Sequence, residues 1–337
     1  MNYTSTSIWD LSRDDCSAIL QTYGYSSDLI EHILIPTGSS DACFHIIGRS
    51  RSYFLKILGT HTKQRVIEET RLMQYLYECG FPTPSPFMTL TGDLYSRVLN
   101  NYTILQPYLY GNSVYKYSSR EEGASCIMQV ATHLGEFHLL TQKLPFSENR
   151  KYSLKGILKM VDMCKIHFSS DLSKLDCELL ETIPPLLSSK SHLCGKIQLY
   201  PIHGDLFRDN VLFDAEGNLL AFIDFQSSTI GHYVYDIVTC INDWCYEDNQ
   251  LSRWMSVLFV ESYQKVRVLS HDEVDYLPEA WLMSAFRFYI SRMVKSFNKP
   301  HNHRVPTSKM DYEVFANLIK FIISLGPEER KQYLGIG

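Results

Sequence analysis

The chain has 337 residues, of which 45% are hydrophobic and 13% aromatic, and its formal net charge is −5. That length and content allow a sizeable core and suit two lobes, while the mild acidity gives no global basic field for nucleic acid or an anionic membrane. Nine cysteines are scattered without a C-x-x-C pair, no apolar run approaches the roughly 18 residues of a membrane span, and Met1 to Asp15 lacks the basic start and apolar run of a signal peptide. The expectation is therefore a globular, cytoplasmic protein with reduced thiols.

From about Leu11 to Ile30, Leu11, Ala18, Ile19 and Tyr23 recur at helical spacing and predict a short helix. Ile33–Ile35, Cys43–Ile47 and Tyr53–Leu58 read as strands separated by polar turns. The turn Gly38-Ser39-Ser40 is of the kind that lays backbone N–H groups over phosphates, although an ordinary hairpin turn is the plainer reading.

Lys56 stands between Leu55 and Ile57 on a strand whose two faces both read as buried. A buried ammonium needs a partner, because an isolated charge in an apolar site is costly or loses its proton. The segment from Lys63 to Cys79 is helical and is ended by Gly80, with Pro82 and Pro84 beyond. Val66, Glu69, Met73 and Leu76 share one face of it, so Glu69 is the expected partner and Glu68 the fallback. A strand lysine paired with a helix glutamate is the arrangement that orders ATP phosphates in kinase-like folds; a snorkelling lysine beside an exposed glutamate is the plain alternative.

Thr103 to Leu109 reads as a further strand, broken at Gly111. Gln106, Tyr108 and Leu109 are the candidate backbone contacts for a nucleotide base. The same strand end divides an N-terminal nucleotide-binding lobe, residues 1–106, from a helical lobe, residues 107–337. In that second lobe Ala124–Leu140 is helical, with His138 as a packed or capping histidine. Two amphipathic stretches follow between Leu154 and Leu187, broken at Ser169-Ser170-Asp171 and again at Pro184-Pro185.

The stretch from Ile202 to Phe225, IHGDLFRDNVLFDAEGNLLAFIDF, carries most of the chemistry. Asp205 is followed five residues later by Asn210, and two apolar runs around Asp214-Ala215-Glu216-Gly217-Asn218 predict a β-hairpin that ends at Asp224. A hairpin returns the chain to its start, which sets Asn210 and Asp224 side by side as hard oxygen ligands. A carboxylate beside an amide suits Mg²⁺ with nucleotide phosphates better than a transition metal. Asp205 is then left to orient the acceptor hydroxyl and accept its proton.

Beyond Asp224, Asp236 precedes an apolar helix, where it is expected to cap N–H groups and anchor the loop around Asp205. Asp243, Glu247 and Asp248 surround Trp244 and Tyr246 and form a candidate site for an ammonium group. Further helices are expected at about 251–266, 275–295 and 311–325. Arg287 and Arg292 in the middle one are candidates for a substrate carboxylate, which a guanidinium matches bidentately.

The segments HGDLFRDNVLFD, IDF, YDI and INDWCYE, in that order, with SYQKVRVLSHDE and SAFRFYISR after them, resemble the aminoglycoside phosphotransferase and choline kinase superfamily, most closely its homoserine kinase branch. The likeness runs from the Lys56 strand to about residue 295. It implies an α+β, bilobal protein-kinase-like fold with a small β-rich N-lobe and a larger, mainly helical C-lobe, Asp205 as the catalytic residue, Lys56 and Glu69 at the ATP phosphates, and Asn210 and Asp224 as Mg²⁺ ligands. The implied reaction is phosphorylation of the homoserine hydroxyl, with another amino alcohol or an aminoglycoside as the alternative acceptor and a non-catalytic nucleotide-binding protein as the second alternative. The partners are then ATP and a small hydroxylated molecule, with no nucleic acid and no membrane. The sequence departs from the family at Gln226-Ser227-Ser228, where an aromatic residue is usual soon after IDF, and at Asp41, where Asn is common.

Overall fold

Alternating apolar residues build an antiparallel sheet from β1 (Leu29–Ile35), β2 (Ala42–Gly48), β3 (Ser52–Leu58), β4 (Ser96–Val98) and β5 (Asn101–Pro107), in the order β1-β2-β3-β5-β4. The structure is a computed structural model and describes residues 7–25, 29–36, 41–59, 61–144, 152–247, 250–298 and 312–336. It divides into two units, one made of Met1–Asn112 with Leu220–Gln226, the other of Ser113–Leu219 with the described residues from Ser227 onward.

In the first unit, α1 (Arg13–Thr22) begins at a capping box in which Ser12 and Asp15 bond each other's backbone N–H. The helix is shorter than its apolar spacing predicts. It stops at Thr22, Gly24 turns the chain at φ +82°, and Ile30, expected to be helical, is already in β1. Cys16, Ile19 and Leu20 of α1 pack on the sheet face that carries Phe44, Ile46, Tyr53, Leu55 and Ile57. On the opposite face Leu58 and Ile104 meet Val66 of α2 (Lys63–Glu78). Strand alternation puts Lys56 on this second face, beside α2. The short strand β4 escaped the sequence reading; Leu99 and Asn100, both at positive φ, turn it into β5.

The second unit contains the helices α3 (Arg120–Thr141), α4 (Leu154–His167), α5 (Lys174–Ser189), α6 (Ser191–Cys194), α7 (Tyr233–Trp244), α8 (Arg253–Gln264), α9 (His271–Phe297), α10 (Tyr312–Ser324) and α11 (Pro327–Tyr333). Helix α9 is buried along most of its length and packs against α7 and α10, while α3 packs on α8. Short strands β6 (Tyr200–Ile202) and β9 (Thr229–Gly231) pair antiparallel and bring the segment after Ile202 beside Ser227 and Ser228. The strands β7 (Val211–Phe213) and β8 (Leu219–Phe222) form the expected hairpin, and Asp214 Oδ1 accepts from the N–H groups of Glu216 and Asn218 in its turn. A last pair, β10 (Tyr246–Glu247) and β11 (Gln250–Leu251), leads into α8. All nine cysteines are free and six are buried. Among the described residues no helix is long and apolar enough to cross a membrane.

Pro184 and Pro185 do not break the helix as expected; both lie inside α5. The stripe Leu179, Leu180, Ile183 and Leu187 is buried across the pair, and that packing holds the helix through two missing N–H donors. Proline costs about 3 kcal/mol relative to alanine in a helix interior, and restriction of the unfolded chain returns about 1 kcal/mol. Pro185→Ala, at an exposed position, is therefore expected to stabilise the protein by about 1–2 kcal/mol, read from urea midpoints. A lower midpoint would mean that the packing of Leu187 needs the bend that the prolines impose.

Candidate active site

In the first unit, Lys56 is only 7% exposed and its Nζ donates to Asp224 Oδ1 at 2.7 Å. Two further carboxylates face it, Glu69 Oε1 at 3.8 Å and Asp41 Oδ2 at 3.7 Å. Glu68 points elsewhere and accepts from Gln64 Nε2. Burial pulls the Lys56 pKa down, but the carboxylates of Asp224, Glu69 and Asp41 outweigh it and hold the ammonium above the ordinary lysine range. Burial raises the Glu69 carboxyl, and Lys56 opposes it. Asp41, a departure from the family pattern, is a fully buried acid immediately before β2, where its Oδ1 also accepts from Gly59 N at 3.0 Å.

Asp224 adopts φ +63°, in the left-handed region that Asp tolerates better than most residues. Gln226 Nε2 donates to its Oδ2 at 3.1 Å, and Arg65 of α2 donates to the Gln226 carbonyl. The Gln226 departure thus has a structural use, holding the second oxygen of Asp224 while Lys56 holds the first. Gln106 is buried with its amide on the Pro84 carbonyl at 3.1 Å, Tyr108 stacks on His45 at 3.7 Å with its N–H on Ser52 O, and Leu109 follows the end of β5. Gly38, Ser39 and Ser40 lie outside the described residues, as does Asp248.

In the second unit the segment His203-Gly204-Asp205 leaves β6 and is held from beneath by Asp236, which is fully buried. Asp236 does not precede its helix as expected, because α7 already begins at Tyr233. From the first turn it accepts from His203 N at 2.7 Å and Gly204 N at 2.8 Å. His138 Nε2 lies 3.3 Å from its Oδ2, and His138 Nδ1 is 2.8 Å from the Tyr263 hydroxyl. Gly204 has φ +77°, and a Cβ there would sit 2.8 Å from Ser227 O and 2.7 Å from the Tyr152 ring. Only glycine fits this backbone. Asn210 Nδ2 donates to the Asp205 carbonyl at 2.6 Å, which directs the amide nitrogen into the loop. Asp205 Oδ1 is buried with no hydrogen-bond partner among the described residues.

Arg208, inside the same loop, is 5% exposed and ties it to the end of α7. Its N–H donates to Asp243 Oδ2 at 2.6 Å, and its guanidinium reaches Glu247 Oε1 at 3.1 Å, the carbonyls of Tyr115 and Trp244, and the face of Tyr117. Two of the three acids expected at an ammonium, Asp243 and Glu247, thus already serve Arg208. Its signal in the sequence is slight, a single basic residue between Asp205 and Asn210. Arg292 lies half-buried with its guanidinium 5.7 Å from the Phe207 ring. Arg287 is 7% exposed, sandwiched between Tyr152 at 4.0 Å and Phe288 at 3.9 Å, and its Nη1 has no partner among the described residues. Burial works against its charge, while Tyr152, Tyr235 and Asp205 hold its pKa above the ordinary arginine range.

Burial pushes the Asp243 carboxyl up to about 6, with the Arg208 guanidinium opposing. A carboxyl raised by folding holds its proton more tightly in the folded state. Its contribution is present below the unfolded pKa, about 3.9, and is lost as pH rises through the folded one. Asn imitates the protonated acid and keeps an oxygen for Arg208 N. The stability of Asp243→Asn relative to the parent should therefore rise between about pH 4 and pH 7 in urea titrations; a pH-independent difference would refute the raised carboxyl.

A model of the phosphotransferase enzyme family matches residues 32–269. The homoserine kinase of Neisseria meningitidis serogroup B is 27% identical over 294 residues, covering 87% of this chain and 90% of the relative. The structure of a microcompartment-associated aminopropanol kinase superposes with a TM-score of 0.66 at 15% identity, covering 97% of this chain and 99% of that one. An amicoumacin kinase in complex with AMP-PNP and Ca²⁺ gives 0.62 at 12% identity, covering 96% and 97%. These likenesses bear out the α+β, protein-kinase-like fold class. With the family model spanning most of the chain, the protein belongs to the phosphotransferase enzyme family and is a small-molecule kinase that transfers a phosphoryl group to an alcohol.

Proposed function

We propose that the chain transfers the γ-phosphoryl group of ATP to the side-chain hydroxyl of L-homoserine, giving O-phospho-L-homoserine and ADP. The observation that carries this reading is Arg287, a buried guanidinium whose Nη1 has no hydrogen-bond partner among the described residues and whose charge Asp205 helps to hold. Such a group is matched by an acceptor that brings its own carboxylate. An amino alcohol such as aminopropanol or choline brings none. The homoserine kinase relatives support the same acceptor, and the nucleotide analogue held by the amicoumacin kinase supports ATP as the donor.

In this reading Lys56, braced by Glu69, holds the α- and β-phosphates. Gln106, Tyr108 and Leu109 contribute at the base. Asn210 and Asp224 are the Mg²⁺ ligands. The donor set fits that ion, because both offer hard oxygens, neither is a thiol or imidazole, and Asn210 has its nitrogen engaged by the Asp205 carbonyl. When bound, Mg²⁺ neutralises phosphate charge that would repel the incoming hydroxyl.

Asp205 accepts the hydroxyl proton as the new O–P bond forms and the bond to the ADP oxygen breaks. Its position depends on Asp236 and Gly204 beneath it. Arg287 orients the acceptor by its carboxylate, with Arg292 as the alternative. For the ammonium, Asp243 and Glu247 remain the proposed partners, although their bonds to Arg208 leave the carboxylate end the better supported.

Asp205→Ala is expected to bind ATP within a few-fold of the parent while turnover of homoserine falls by about 10²–10⁴. Calorimetric nucleotide binding and an ATP-coupled assay over homoserine, choline, hydroxylysine and aminoglycosides would check both halves. Retained turnover in the variant would remove Asp205 as the base, and a higher kcat/KM for any other acceptor on the panel would remove homoserine.

A further inference from the structure

Next to Asp205 the second unit contains a buried aromatic and cationic cluster whose polar atoms are not fully used. Tyr152 packs over the backbone at Gly204, one residue before Asp205. Arg287 lies on the Tyr152 ring at 4.0 Å, and Tyr235 lies parallel to that ring at 5.9 Å. Tyr235 is 2% exposed, and its hydroxyl, like Arg287 Nη1 and Asp205 Oδ1, has no hydrogen-bond partner among the described residues. Three unpartnered polar atoms in one buried neighbourhood are a costly arrangement for a ligand-free protein, since each gives up its bonds to water.

A cavity of about 140 Å³ opens on the same cluster. Tyr152, Tyr235, His232, Tyr276, Glu279 and Met283 line part of it. Neither Asp205 nor Arg287 lines it; of the cluster, Tyr152 and Tyr235 form its wall. Glu279, Met283 and Arg287 are spaced four apart on α9 and share one helix face, which carries the cavity wall toward the guanidinium.

From this geometry we infer that Tyr235 is a specificity-determining residue of the acceptor pocket, its hydroxyl donating to the acceptor carboxylate beside Arg287. The inference rests on the reading that the acceptor is a hydroxylated amino acid, and adds to it the group that completes recognition of its carboxylate. Burial keeps the phenol protonated at neutral pH, so it acts as a donor. Arg287 supplies the charge; Tyr235 supplies a neutral donor whose ring is fixed against Tyr152.

The test compares L-homoserine with 3-aminopropan-1-ol, which keeps the amine and hydroxyl but lacks the carboxylate, in the parent and in Tyr235→Phe. The ratio of kcat/KM for homoserine to that for aminopropanol should fall about 10- to 100-fold in the variant, mostly through the KM for homoserine. Because the hydroxyl has no hydrogen-bond partner among the described residues, the ligand-free thermal midpoint of Tyr235→Phe should not drop. An unchanged ratio would overturn the inference and leave the role of Arg287 standing. A lowered midpoint would show that the hydroxyl serves the fold, and would also overturn it. If the parent protein itself shows no preference for homoserine over aminopropanol, the amino-acid reading fails and the inference falls with it.

Discussion

The loop that carries Asp205 depends on one buried carboxylate. Asp236 has no exposure to solvent, and its two oxygens take the successive N–H groups of His203 and Gly204. A charge in such a place survives only when every oxygen is satisfied, and here His138, itself held by Tyr263, completes the set. The loop cannot shift without leaving those bonds. The position of Asp205, the proposed base, is therefore set below the backbone, by the carboxylate of Asp236.

Lys56 shows the complementary arrangement. Three carboxylates surround one ammonium, so the group as a whole carries excess negative charge in a site where burial disfavours it. Such a surplus is relieved by a bound cation. Asp224 belongs to the group, and its proposed role as a metal ligand gives that relief a chemical form. In the second unit Arg208 divides the work, its backbone N–H donating to Asp243 while its guanidinium holds Glu247 and the Trp244 carbonyl at the end of α7.

What was legible in the sequence follows from how local each signal is. Alternation across Tyr53 to Leu58 and the helical face of Val66, Glu69 and Met73 depend on neighbours in the chain, and the structure places Lys56 and Glu69 together. The turn at Asp214 to Asn218 is equally local. Asp41 and Gln226 were visible only as departures, since nothing near them in sequence shows that one faces Lys56 and the other holds Asp224. The extent of α1 and the continuity of α5 were misjudged for a related reason. Strand pairing claimed Ile30 against its helical spacing, and burial of Leu187 overrode the local preference of two prolines.

The backbone at Asp224 carries a consequence for how this position tolerates replacement. At φ +63° the residue occupies a well that glycine, asparagine and aspartate enter at low cost and longer or branched side chains do not. Glutamate keeps the carboxylate but loses the backbone preference, asparagine keeps the preference but loses the charge, and glycine keeps neither oxygen. Two independent filters, one of shape and one of charge, therefore act on a single position, and aspartate is the one side chain that passes both.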